Sequence, residues 1–303
     1  MTATHPGSGS VSGSGDGPAS GPTVLRMLLG HQLRSLREAR GISREQAGWE
    51  IRSSESKISR IELGRVGLKE RDIADLLTLY GVTDPAERES MLSLARQANV
   101  PGWWQRYGDV HPKWFEPYLG LEAAASLIRT YEVQFIPGLL QTEAYARAVV
   151  KLAHRGAGPD EVDGRVRLRL ARQRVLRRED PPPPRLWAVL DEAVLRRPIG
   201  GPEVMRAQLV ALREATTWPN VTIQIVRFTT GGHAAAGGAF TLLRFPDPEV
   251  PDVVYMEQLT SGLYLEQLRD VDTYGEVLER LCVEAEPPVR TADLLAEILA
   301  EYR

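Results

Sequence analysis

Cysteine is nearly absent: Cys282 is the only one in 303 residues, so no internal disulfide can form and a disulfide-stapled secreted scaffold is excluded. Long apolar runs are absent as well; none approaches the roughly 18 to 20 residues that a bilayer crossing takes. The N-terminus shows neither the basic nor the apolar segment of a secretory signal. These absences lead to the expectation of a soluble, cytoplasmic protein with no membrane partner. The histidines, His5, His31, His111, His154 and His233, are scattered without metal-ligand spacing or a recognisable triad. No metal, cofactor or catalytic residue is therefore expected, and the chain does not read as an enzyme. An excess of one charge is missing too. With 37 Lys+Arg against 40 Asp+Glu, a net −3, the chain cannot coat nucleic acid over its whole surface, although a local basic face stays open.

Residues 1–23 have almost no apolar side chains and no Lys or Arg, so they cannot offset the entropy of ordering, and the pattern predicts a flexible tail. Amphipathic helical patterning begins at Leu25 and predicts five short helices within a domain spanning 24–99. Leu29, Leu33 and Leu36 lie a turn apart on the first, and Gly41 stands where a left-handed cap belongs. Ser43 followed by Gln46 forms a capping box for the second. The third starts at Ser53 or Ser54, buries Ile58 and Ile61 and stops at Gly64; the fourth carries Ile73, Leu76, Leu77 and Tyr80 inward and ends at Gly81. Asp84, Pro85 and Glu87 supply N-cap, N1 and N3 of the fifth.

After Pro101-Gly102 comes a second domain, 100–303. It opens on an aromatic cluster, Trp103, Trp104, Tyr107, Trp114, Phe115 and Tyr118, which is either the joint between domains or an exposed anchor set for a partner or ligand. Helical patterns are predicted over 121–129, 142–154 and 162–178, and again near 203–215, 271–284 and 292–302. Short β-branched and aromatic runs at 186–190, 221–228, 240–245, 253–259 and 263–265 predict strands. The Gly-rich segment 229–238 lacks the Gly-Lys-Ser/Thr ending of a phosphate loop and reads as a strand connection. The fold class expected is an all-α domain followed by an α+β domain with a small, mainly antiparallel sheet.

A helix that reads the major groove presents small or polar side chains outward while another braces it. Ser43 to Gly64 fits that plan: Ala47, Ile51, Ile58 and Ile61 pack inward, leaving Ser54, Glu55, Ser56, Lys57, Ser59 and Arg60 outward. The run Leu33–Gly41, then Ser43-Arg-Glu-Gln, then Lys57-Ile-Ser-Arg-Ile-Glu-Leu-Gly64 resembles the Xre/Cro, lambda-repressor-like DNA-binding domain over about residues 26–98. The resemblance implies that Arg44 touches a phosphate, that Ser54, Glu55, Ser56 and Arg60 face base edges, and that Lys57 and Ser59 contact the backbone of a double-stranded operator. Two positions depart from the family: Ala47-Gly48 replaces Leu-Ala, and Arg52 replaces a turn glycine. Either Arg52 is strained or the turn is a residue longer. Residues 26–80 hold 11 Lys+Arg and 8 Asp+Glu, a net +3. That modest excess implies salt-sensitive binding too weak for one module, hence a homodimer.

Further along, Glu122-Ala-Ala-Ala-Ser, Tyr131-Glu, Pro137-Gly-Leu-Leu-Gln-Thr-Glu-Ala-Tyr-Ala-Arg147, Ala171-Arg-Gln, Asp191-Glu-Ala-Val-Leu-Arg and Phe240-Thr-Leu-Leu carry a second resemblance, to WhiJ-like regulators of actinomycetes, also described as antitoxin-like. It implies a small partner protein encoded nearby, and two readings: a transcriptional regulator modulated through its C-terminal domain by that partner or by a ligand, or an antitoxin-like factor that sequesters the partner. Thr142 reads as an N-cap that places Leu139, Leu140, Tyr145 and Val149 in the core, with Gln141 and Glu143 left as candidate polar contacts. The seven arginines between Arg165 and Arg178, Arg174 and Arg178 among them, form either a solvated face or a surface for an acidic partner or phosphates. Cys282 reads as a buried thiol or a redox sensor.

Overall fold

The computed structural model describes residues 21–235 and 237–302. Most of the expected tail, 1–20, lies outside the described residues. Its last part is not tail, because Pro22 and Thr23 open the first helix and Thr23 is buried.

Five helices form the N-terminal region: α1 (Pro22–Ala39), α2 (Arg44–Glu50), α3 (Glu55–Glu62), α4 (Glu70–Leu79) and α5 (Pro85–Ala98). Their ends follow from capping chemistry. Ser43 Oγ accepts from Gln46 N at 3.1 Å while Gln46 Oε1 accepts from Ser43 N at 2.8 Å, completing the capping box. Asp84 accepts from the amides of Ala86 and Glu87 at the start of α5. Leu29, Leu33, Ala47, Ile58, Ile61, Ile73, Leu76, Leu77 and Tyr80 share one apolar core. Gly30 is required by close approach: a Cβ there would lie 2.5 Å from the Ile61 carbonyl oxygen. α1 therefore crosses the end of α3 backbone against side-chain-free backbone.

The larger region runs through α6 (Glu116–Ala124), β1 (Leu127–Glu132), α7 (Glu143–Ala153), α8 (Pro159–Gln173), β2 (Arg185–Asp191), α9 (Glu192–Arg196), α10 (Pro202–Ala215), β3 (Val221–Val226), β4 (Phe240–Arg244), β5 (Val253–Glu257), β6 (Gly262–Leu265), α11 (Leu268–Glu284) and α12 (Thr291–Glu301). The six strands make one mixed sheet in the order β3-β2-β1-β4-β5-β6. Pairs β1–β4, β4–β5 and β5–β6 are antiparallel, as expected of the sheet's majority, whereas β1–β2 and β2–β3 are parallel. Each parallel pair is joined by a helical crossover, α7–α8 or α9–α10, because parallel neighbours need a connection of that length.

The helix expected over 121–129 is corrected by the structure: α6 stops at Ala124 and β1 begins at Leu127. β1 is the central strand. One face, Ile128 and Thr130, packs toward the core that holds Leu243, Val253 and Tyr255, and Tyr131 packs in the opposite core with Phe240 and Val254. Burial on both faces blurs the alternation that identifies a strand in sequence.

α1 belongs to both cores. Leu25, Leu29 and Leu33 face the small one, while Val24 and Met27 pack with Tyr118, Leu121, Ala124 and Ala125 in the large one. A Cβ on Gly120 would meet Thr23 Oγ1 at 1.9 Å, which shows how closely α6 approaches α1. Arg65, just past α3, adds a second tie, donating to the Tyr264 carbonyl at 3.4 Å and to Glu266 at 3.3 Å. Among the described residues no helix is long and apolar enough to cross a membrane.

Candidate nucleic-acid interface

The turn between α2 and α3 explains both departures in its sequence. Arg52 takes a left-handed conformation, φ +53°, where the fold would favour glycine. Its neighbour Ser53 donates to the Gly48 carbonyl at 2.7 Å, and a Cβ on Gly48 would lie 2.9 Å from the Ser53 oxygen. Glycine at position 48 thus lets the turn close tightly, and the strain falls on Arg52. Ser54 then caps α3, its Oγ accepting from Lys57 N at 3.2 Å.

With Ile58 and Ile61 buried below, α3 presents Ser54, Glu55, Ser56 and Arg60 as exposed side chains and Ser59 as a half-buried one. Arg60 Nε donates to the Ser56 carbonyl at 3.3 Å, which lays the guanidinium along the outer face of the helix. Glu55 has no ion-pair partner among the described residues. The two expected backbone contacts with a formal charge are already engaged inside the domain. Lys57 Nζ lies 2.6 Å from Asp72 of α4, and Arg44 Nε lies 3.0 Å from Glu62. Each keeps further N–H donors, since an ammonium has three and a guanidinium five.

Glu62 is the residue whose role the sequence did not announce. It is 5% exposed, accepts from Arg37 of α1 through both oxygens, and accepts from Arg44 of α2. One carboxylate at the end of α3 therefore fixes the angles of three helices. The hydrogen bonds that Arg37 donates to Glu62 also raise its guanidinium above the ordinary pKa. Two further exposed residues, neither named among the expected DNA contacts, flank the start of α3: Arg52 and Trp49, the latter 81% exposed. Trp49 lies two residues from both Ala47 and Ile51, off the buried stripe of α2, so its exposure was readable from helical period.

Residues 28–91 match the family described as a helix-turn-helix domain. Residues 115–297, more than half of the chain, match the domain of unknown function DUF5753. The chain belongs to the DUF5753 family. No curated protein and no solved structure matches it.

The aromatic cluster, which runs into the start of the DUF5753 match, is inward rather than a free anchor set. Trp104 is 2% exposed against Leu119 and Leu168, Trp103 and Tyr107 pack around it, and Trp114 lies against the main core. The joint between the regions includes part of this cluster: Tyr118 of α6 shares the large core with Val24 and Met27 of α1, with Trp114 and Phe115 packed against it, and Arg65 adds its contact with β6. Thr142 caps α7 by accepting from Tyr145 N, and Leu139, Leu140, Tyr145 and Val149 are buried as the spacing predicts. Gln141 is buried, its amide donating to the Ile136 carbonyl at 2.8 Å, whereas Glu143 is exposed and paired with Arg147.

The arginine run divides. Arg172 is buried in a bidentate pair with Glu122, both contacts 2.8 Å, under the rings of Phe115 and Tyr118. Arg177 stacks on Trp218 at 4.5 Å, Arg165 pairs with Glu161, and Arg178 donates to the carbonyls of Ala123, Ala125 and Pro182. The exposed Arg167 and Arg174 line an open groove of about 430 Å³ with Arg106. A single solvated face therefore does not describe this run. The Gly-rich segment passes over the ends of β1 and β2 on its way from β3 to β4. There His233 Nε2 lies 3.0 Å from Tyr131 Oη and 3.9 Å from Asp191. Cys282 is half-buried beside Arg129, and burial raises its thiol pKa.

Proposed function

We propose that the chain is a sequence-specific DNA-binding transcriptional regulator of the cytoplasm, of Xre/Cro type, whose α3 enters the major groove of an operator. The observation that carries this reading is the outer face of α3, where Ser54, Glu55, Ser56 and Arg60 stand free of the packing that holds the rest of the domain. In the docked complex Arg60 donates to the acceptors of a guanine and Glu55 accepts from a cytosine amino group, since a carboxylate amid phosphates is otherwise repelled. Arg44, Lys57, Ser59 and Arg52 serve the phosphates. A homodimer places two such helices about 34 Å apart, one turn of the duplex.

The DUF5753 region receives the signal in this reading, from a small partner protein encoded nearby or from a ligand, and performs no catalytic step. The contacts of α1 and Arg65 with it support the proposal, because a change in the larger region then moves the reading helix. The WhiJ-like and antitoxin-like resemblances point the same way, with sequestration of the partner as the second possible outcome of its binding. Selection of bound duplexes from a random-sequence library tests the DNA assignment. The wild type should enrich one motif, Arg60→Ala should lose about 1 to 3 kcal/mol of preference at one guanine, and Glu55→Gln should broaden choice at one cytosine. Unchanged preferences in both variants would refute the assignment.

A further inference from the structure

Two carboxyls and a guanidinium lie at one end of the sheet, and among the described residues none of the three has an ion-pair partner within 4.0 Å. The strand register places two of them. Thr130 of β1 stands opposite Thr241 of β4, and Thr241 stands opposite Tyr255 of β5, so the three project from the same face. β1 and β5 run in the same direction, and two residues further along each comes Glu132 or Glu257, again on that face. Two strand spacings separate their backbones by about 9.6 Å. Continuing the register past Tyr131 and Phe240, the residue between them is Ala239, exposed and with only a methyl group to fill the gap.

The third is Arg169 of α8, one turn before the Arg172 that is committed to Glu122. Its hydrogen bond is a long one, 3.4 Å to Gln141 Oε1, and among the described residues it has no carboxylate within 4.0 Å. Among the described residues Glu132 and Glu257 have no cation within that distance either. Glu132 accepts from Thr130 Oγ1 at 3.4 Å and Glu257 from Tyr255 Oη at 3.2 Å. Arg169 and Glu132 are half-buried, and half-buried groups of opposite charge normally pair, because leaving each desolvated alone is costly. Here each stays within electrostatic reach of the others without pairing. Burial, reinforced by Glu257, pushes the Glu132 carboxyl up to about 8, while Arg169 and Arg172 oppose the rise. Burial, reinforced by Arg172 and Arg165, pulls Arg169 down to about 10. No group of three or more His, Cys, Asp or Glu suited to a metal ion occurs among the described residues.

We propose that this end of the sheet binds a small zwitterion of the free amino-acid kind, its ammonium between Glu132 and Glu257 and its carboxylate on Arg169 beside Gln141. Such a ligand supplies both missing counter-charges at once, which a simple amine or a simple acid does not. The site also adjoins the tie to the reading helix: Tyr255 packs against Tyr264 at 5.0 Å, and the Tyr264 carbonyl accepts from Arg65. The proposal names the chemistry of the ligand signal in the regulatory reading, but its geometry lies wholly in the DUF5753 region and its test uses no DNA.

The full chain is screened by thermal shift and then calorimetry against the proteinogenic L-amino acids singly, each at millimolar concentration. At least one should raise the melting temperature and bind, with its N-acetyl and carboxamide forms at least tenfold weaker. Arg169→Gln and Glu257→Gln should each weaken it at least tenfold. Glu257 is exposed, so its substitution leaves the fold intact even if Arg169→Gln does not. Binding by none of the amino acids, equal binding of the N-acetyl form, or binding undiminished in Glu257→Gln would overturn the proposal.

Discussion

Glu62 shows how much one side chain can hold. Its carboxylate is 5% exposed between two guanidiniums, so truncation leaves the buried Arg37 with only the exposed Glu38, 3.4 Å away, as counter-charge. Glu62→Ala should cost about 3 to 5 kcal/mol in a urea unfolding titration, the range for breaking a buried pair from one side. A loss below about 1 kcal/mol would mean that the three-helix hub carries little load. Glu132 makes the opposite case, a carboxyl whose burial favours the neutral form. Its pKa is raised from the ordinary 4.5 to about 8, so between those values the folded chain holds a proton that the unfolded chain releases. This group's contribution to stability is complete below about pH 4.5, falls as pH rises and is lost above about 8, with a slope of at most about 1.4 kcal/mol per unit. Glu132→Gln, which is neutral throughout, should gain on the wild type in melting temperature from pH 5 to pH 8. A constant difference across that window would contradict the buried-acid assignment.

At the scale of elements, the close packing of α1 on α3 depends on Gly30, where a methyl group would run into the carbonyls of Ile61 and Glu62. Gly30→Ala should therefore destabilise the helix-turn-helix by about 1 to 3 kcal/mol despite alanine's better helix propensity, measured by circular dichroism during unfolding. A stabilised variant would show that α1 sits further away. These N-terminal helices were legible because their signals are local: Ser43 with Gln46, Ser54, and Asp84 mark starts, and Gly41, Gly64 and Gly81 adopt positive φ at the stops. Four of the five expected strands followed from β-branched runs bounded by turns, and the short 263–265 run proved to be β6. β1 was not legible, because a central strand buried on both faces at the exit of α6 continues the apolar texture of the helix. The parallel pairing of β1, β2 and β3 was equally hidden, since strand order is set by non-local contacts. Of the residues proposed to face DNA, the outward set on α3 could be read from period, whereas the engagement of Lys57 by Asp72 and of Arg44 by Glu62 needed the fold. The register that brings Glu132 beside Glu257, 125 positions away, leaves no trace in local pattern.

For the whole molecule, α1 removes any clean boundary between the regions. Val24 and Met27 are core residues of the larger region on a helix that also anchors the smaller. The full chain should therefore unfold in a single calorimetric transition with matching calorimetric and van't Hoff enthalpies, and a fragment ending near residue 99 should melt below it. Two resolved transitions would show that the regions are energetically independent and would remove the route by which the DUF5753 region could steer the reading helix. The net +3 of residues 26–80 in a chain of net −3 fits the proposed DNA contact, which should weaken steeply as salt is raised. The account rests most heavily on α3 lying in the major groove, and methylation interference on a selected duplex addresses that directly, because the N7 of guanine projects only there. The account predicts that N7 methylation at specific guanines blocks the wild type and that Arg60→Ala becomes indifferent to one of them; binding unaffected by N7 methylation at every guanine would contradict it.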